Sequence, residues 1–109
     1  MYSVPWMDTL TLTSANTVYN LYSLMSAIEP ALPKPAQALM LQFDIDAGSA
    51  RLQVGGLQMT ASNGSYGALL FAGYSFGLDS LGANLIVLPQ ITLLCDTAGQ
   101  KLHVIVVTR

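Results

Sequence analysis

Hydrophobic and polar residues alternate through most of this chain, and helical spacing interrupts the alternation once. Asp8-Thr9-Leu10-Thr11-Leu12-Thr13 sets Leu against Thr at period two, the pattern of a strand with one covered face and a β-branched outer face. Val18, Leu21, Tyr22, Met25 and Ile28 then fall at i, i+3, i+4, i+7 and i+10, which predicts a short helix over residues 17–29 with Asn16 as its N-cap. Pro30 stops it, and Pro33 and Pro35 keep the following stretch extended. From Ala38 the period returns to two: Leu39, Leu41, Phe43 and Ile45 on one face, Met40, Gln42, Asp44 and Asp46 on the other.

The turns come next. Ala47-Gly48-Ser49 reverses the chain before Arg51-Leu52-Gln53-Val54 alternates again. Gly55-Gly56 predicts a tight hairpin with Leu57-Gln58-Met59-Thr60 pairing back, and Asn63-Gly64 is a further turn signal. Tyr66 to Leu81, rich in Gly and aromatics, reads equally as strand or loop. Asn84 to Leu88, Ile91 to Cys95 and Lys101 to Val107 are late strands, punctuated by Pro89 and by Asp96-Thr97-Ala98-Gly99-Gln100. Short strands separated by turn residues predict an all-β fold with one short helix, an antiparallel β-sandwich of the jelly-roll kind.

Composition changes the picture more than any motif. With 109 residues the chain holds one domain, residues 1–109, and one modest core. Only 9% of residues are charged and 52% are hydrophobic, where an ordinary soluble domain carries roughly 25% charge; mean hydropathy is +0.50. A domain of this size hides only roughly 60–70% of its unfolded surface, so part of the apolar material faces outward. Subunit contact is the expected resolution. The apolar runs are too short for a spanning helix, so a membrane is not expected as a partner. No secretory signal is legible at Met1-Tyr2-Ser3-Val4-Pro5-Trp6. Net charge is −2 and Lys34, Arg51, Lys101 and Arg109 are scattered, which argues against nucleic acid.

Candidate chemistry is sparse. His103 is the one histidine, and on an outward position of the last strand it would lie across a hairpin from the region of Cys95, the one cysteine. A thiol and an imidazole make a nucleophile and base only with an orienting group and an oxyanion site. The expectation is therefore a strand histidine, a buried thiol and no catalytic residues. Asp44-Ile45-Asp46-Ala47-Gly48 opens like a calcium loop, but Ser49 stands where the loop needs Gly and Gly55 where it needs a bidentate carboxylate. Gly64-Ser65-Tyr66-Gly67 lacks the spacing of a phosphate cradle, and Asn63-Gly64-Ser65 matches a glycosylation triplet without secretory context. No metal or cofactor is expected. Tyr2, Trp6, Tyr66 and Tyr74 lie outside the clear strand cores and are candidate interface anchors. Residues 1–7, uncharged and carrying Pro5-Trp6, read as an N-terminal arm along a neighbour.

Asn16-Thr17-Val18-Tyr19-Asn20-Leu21, the helix end Ile28-Glu29-Pro30 and the β run closing Asp96-Thr97-Ala98-Gly99-Gln100-Lys101-Leu102-His103-Val104 resemble small structural proteins of tailed bacteriophages. The resemblance is to the jelly-roll cement, or decoration, proteins on the outside of the head. It covers most of the chain from Asn16 as a pattern of elements and brings no active-site residue. It implies a virion protein made in the host cytoplasm, a dimer or trimer of itself, clamped over joints between major capsid protein subunits. A tail or baseplate component would share the composition and fold. A carbohydrate-binding module is the expectation from another class, because jelly rolls also host lectins.

Overall fold

A computed structural model describes residues 4–60, 67–79 and 85–108. Within them the strands are β1 (Val4–Leu12), β2 (Val18–Asn20), β3 (Pro35–Ala36), β4 (Ala38–Phe43), β5 (Leu52–Gly55), β6 (Gly67–Leu70), β7 (Ser75–Asp79), β8 (Ile86–Val87), β9 (Thr92–Cys95) and β10 (Gln100–Thr108). Helix α1 spans Leu21–Ile28, and a 3-10 turn occupies Leu88–Gln90.

Pairing follows a single rule. β1 pairs with β10, β2 with β9, β3 with β8, β4 with β7 and β5 with β6, all antiparallel. The chain is thus one long hairpin wound on itself, and two further pairings, β10 with β4 and β9 with β5, close the winding into two sheets. The first sheet runs β1-β10-β4-β7 and the second β2-β9-β5-β6, with β3-β8 as a small ribbon. That nested order, in two open sheets packed face to face, is an all-β jelly roll.

The period-two pattern decides what lies between the sheets. Leu10, Leu12, Leu39, Leu41, Phe43, Leu102, Val104 and Val106 from the first sheet meet Leu52, Val54, Leu70, Leu93 and Cys95 from the second, all buried. Each large side chain contributes on the order of 1.5–3 kcal/mol by leaving water. Leu21 and Met25 of α1 join the same core.

The structure departs from the sequence reading at several places. Helix α1 begins at Leu21, not at residue 17, because Val18 and Tyr19 pair with Leu94 and Leu93 of β9; both residue types favour a sheet. Asn20 supplies the cap, its Oδ1 accepting from the Ser23 N–H at 3.2 Å. Asn16 instead takes a positive φ of 52°, a conformation Asn tolerates. The arm expected over residues 1–7 is, from Val4 on, the start of β1, held by the ladder to β10; residues 1–3 lie outside the described residues. Ile45 does not continue the buried face, since β4 stops at Phe43 and Ala47 N–H donates to Asp44 O in a turn.

The hairpin expected at Gly55-Gly56 does not form. Neither glycine has positive φ, and β5 pairs with β6. The chain after Gly56 turns over the outer face of its own sheet: Met59 N–H donates to Gly56 O at 3.2 Å, and Thr92 Oγ1 donates to the same carbonyl at 2.6 Å. Met59 is buried there, along with the outward-phase residues Thr92 and Leu94. The Asn63-Gly64 turn lies outside the described residues. The ambiguous stretch from Tyr66 contains β6 and β7, joined by a turn with Gly73 at φ 81°. The late strand expected at Asn84 to Leu88 shortens to Ile86–Val87, with Pro89 inside the 3-10 turn.

Candidate functional site

Two surfaces group exposed large apolar residues, while Ile28, Leu57, Leu69 and Val87 are exposed elsewhere. The first is the outer face of the first sheet. Register aligns its outward residues in rows across β1, β10, β4 and β7: Pro5, Val107, Ala38 and Asp79; then Met7, Ile105, Met40 and Gly77; then Thr9, His103, Gln42 and Ser75. The middle row is apolar and open, with Met7 65%, Met40 50% and Ile105 40% exposed. Gly77 ends the row without a side chain, and a groove of about 360 Å³ lies there, lined by Ala38, Met40, Leu78, Ile105 and Val107.

Beside that row a polar line crosses the sheet. Thr9 Oγ1 lies 2.9 Å from His103 Nδ1, and His103 Nε2 lies 3.2 Å from Asp44 Oδ1. An ionised carboxylate only accepts, so Nε2 carries the proton toward Asp44, and Nδ1 of a neutral ring accepts from the Thr9 hydroxyl. Hydroxyl, imidazole and carboxylate in line are the connectivity of a nucleophile with its base and orienting acid. Acyl transfer further asks for N–H donors converging about 3 Å from the reacting atom, and β10 is hydrogen-bonded to strands on both sides. What the line does in the fold is tie edge strand β1 through β10 to the turn after β4.

The second surface is at one end of the sandwich. Phe71 and Tyr74, in the β6–β7 turn, meet edge to face with centroids 5.4 Å apart, and the Arg51 guanidinium sits 5.6 Å from the Phe71 centroid. Ile45, 76% exposed, adjoins them, its Cγ1 3.9 Å from where a Cβ on Gly73 would stand. Turn and sheet hold this cluster in place through Phe43 N–H to Tyr74 O and Gly73 N–H to Phe43 O. Among the described residues Arg51 has no carboxylate within ion-pair distance.

Of the four aromatic anchors expected from sequence, Tyr74 stands in this cluster, 56% exposed. Trp6 pairs with Val106 on the inward phase of β1 and packs, partly buried, against the core. Tyr2 and Tyr66 lie outside the described residues. His103 does face outward, but Cys95 is buried in the core from the other sheet, so the expected hairpin neighbourhood does not arise. Burial pushes the Cys95 thiol up from its ordinary range. Asp44 is engaged with His103, and no group of three or more His, Cys, Asp or Glu capable of holding a metal occurs among the described residues. No described helix is long and apolar enough to cross a membrane.

Sequence reasoning missed the Met7, Ile105 and Met40 row and the Ile45 and Phe71 cluster as surfaces. Met40 carried a signal, being a large apolar residue in the polar phase of its strand. Searches against protein-family models, curated proteins and solved structures find no match to the chain.

Proposed function

We propose that the chain is a structural virion protein of a tailed phage, a cement or decoration protein that binds the outer surface of the head and stabilises contacts between major capsid protein subunits. The observation that carries the reading is the Ile45, Phe71, Tyr74 and Arg51 cluster on a charge-poor jelly roll. Tyr and Arg surrounded by apolar area are the residues on which interface energies concentrate, and few charges mean little desolvation cost at an interface core. The patch is set on turns anchored to two strands, so it docks with little ordering cost.

The test is cosedimentation of the purified protein with heads that lack it, followed by heating the particles. Saturable binding that raises the temperature of head disruption, lost in Tyr74→Ala, supports the reading. No binding to heads, with binding to tails of the same phage, transfers it to the tail or baseplate. One observation also favours a carbohydrate-binding module: exposed Phe71 and Tyr74 rings beside a guanidinium have the composition of a sugar platform. A glycan array bound by the native protein and not by Tyr74→Ala would select that reading instead.

A further inference from the structure

The second sheet covers its own outer face near β9 with the segment that holds Met59, whereas among the described residues the outer face of the first sheet has no such cover. Two of the charges on that open face stand at its opposite corners, while a third, Asp44, lies beside Lys101 and is engaged with His103. Lys101 stands in the row with Thr11 at one end of β10, and Asp79 stands in the row with Ala38 at the far end of β7. Among the described residues neither is in an ion pair. Between them lie the apolar row and the row of Thr9, His103 and Gln42.

We propose that this face is where a second copy of the chain docks, related by a two-fold axis, with Lys101 of each copy against Asp79 of the other. On ladder spacings of about 4.8 Å between strands and about 6.7 Å between alternate residues, a two-fold axis lying between the faces and passing midway between Lys101 and Asp79 makes both ion pairs at once. The same axis runs close to Ile105 and Met7, so each of these meets its own copy and the apolar row is buried along its length. An isologous interface requires such self-complementarity, and here one operation satisfies charge and apolar pattern together. The sheet is four strands wide and its longest strands have nine residues. Because β4 and β7 have only six and five residues, it offers on the order of 450 Å² per copy, below the standard size of specific interfaces, which points to a weak dimer that forms at micromolar concentration. The proposal deepens the reading as an assembly subunit by naming the self-contact, and avidity from the pair strengthens weak individual docking.

The test uses the isolated protein without heads, so its result is independent of head binding. Analytical ultracentrifugation from 1 to 100 µM should show a monomer–dimer equilibrium, shifted to monomer at least tenfold by Ile105→Asp, an outward substitution checked for unchanged circular dichroism. Lys101→Asp alone should weaken the dimer, and Lys101→Asp combined with Asp79→Lys should restore it. Met7→Cys should give a disulfide-linked dimer under mild oxidant, whereas Leu69→Cys on the other sheet should not. A monomer throughout, a dimer indifferent to Ile105→Asp, or a double charge reversal no better than the single one overturns the proposal. So does a monomeric chain in which Ile105→Asp abolishes head binding, which would give the face to the capsid.

Discussion

Asn20 has two jobs in the fold, and removing it separates them. Its Oδ1 accepts from Ser23 N–H at 3.2 Å, capping α1, while its Nδ2 donates to Pro89 O at 2.6 Å, tying the helix start to the 3-10 turn. Loss of an N-cap costs about 1 kcal/mol. Loss of the second bond costs about 1 kcal/mol more, and the partly buried Pro89 carbonyl is then left without this donor. Asn20→Ala should therefore lower unfolding free energy by about 2–3 kcal/mol, measured by urea titration, and lower Tm by roughly 10 °C or more for a domain of this size. Asn20→Asp keeps the cap acceptor but turns the Nδ2 donor into an oxygen facing another oxygen, so it should cost at least as much as Asn20→Ala. Asn20→Ser keeps a cap acceptor and leaves Pro89 O unpaired, and should fall between wild type and Asn20→Ala. The reasoning is refuted if Asn20→Ala costs less than about 0.5 kcal/mol, or if Asn20→Asp is as stable as the native protein.

Other outcomes follow from packing and burial. A Cβ on Gly67 would stand 2.5 Å from Val54 O and 2.9 Å from Met59 Cε; because the nearer contact is backbone, Gly67→Ala should cost about 1–3 kcal/mol in denaturant titration, and Met59→Ala should not rescue it. Phe43→Ala should cost about 3–5 kcal/mol, whereas Ile45→Ala, two residues on in the same alternation, should change stability by less than about 0.5 kcal/mol; equal losses would mean that the strand continues past Phe43. The Cys95 thiol, raised above its ordinary value of 9.0 by burial, holds its proton more tightly folded than unfolded. Its contribution to stability is thus complete below that value and declines as pH rises through and above it. A Cys95→Ala variant should lack that alkaline slope, and in the native chain the thiol should react with an aromatic disulfide reagent at pH 8 only at the rate of unfolding. Reaction at a free-thiol rate would show that Cys95 is not buried.

The sandwich was legible because its core obeys a period of two: Leu10 and Leu12, then Leu39, Leu41 and Phe43, then Leu102, Val104 and Val106 are buried where alternation put them. Boundaries were less legible because they depend on distant partners. Nothing local to Val18 and Tyr19 says that β9 will claim them, so helical spacing extended the helix four residues too early. The same holds at Gly55-Gly56, where local turn chemistry suggested a hairpin but β5 is completed by β6 and β9. Thr9, His103 and Asp44 come together only through pairing of the first and last strands and the turn after the fourth, so their spacing in sequence carries no sign of their contact.

The nested pairing explains why the two outer faces differ. A chain wound as one hairpin places its ends side by side: β1 and β10 form half of the first sheet, and the middle of the chain, β5 and β6, forms one side of the second. The connection leaving β5 can therefore fold back over the second sheet, and Met59, buried beside Gly67, belongs to that cover. Among the described residues no segment folds back over the first sheet in the same way, and Met7, Ile105 and Met40 stand open in its middle. Replacing them by polar residues would cost this domain little, since they contribute no core packing. A sequence that nonetheless keeps three large apolar residues in the outward phase, flanked by Lys101 and Asp79, which form no ion pair among the described residues, has the form of a surface completed by another chain.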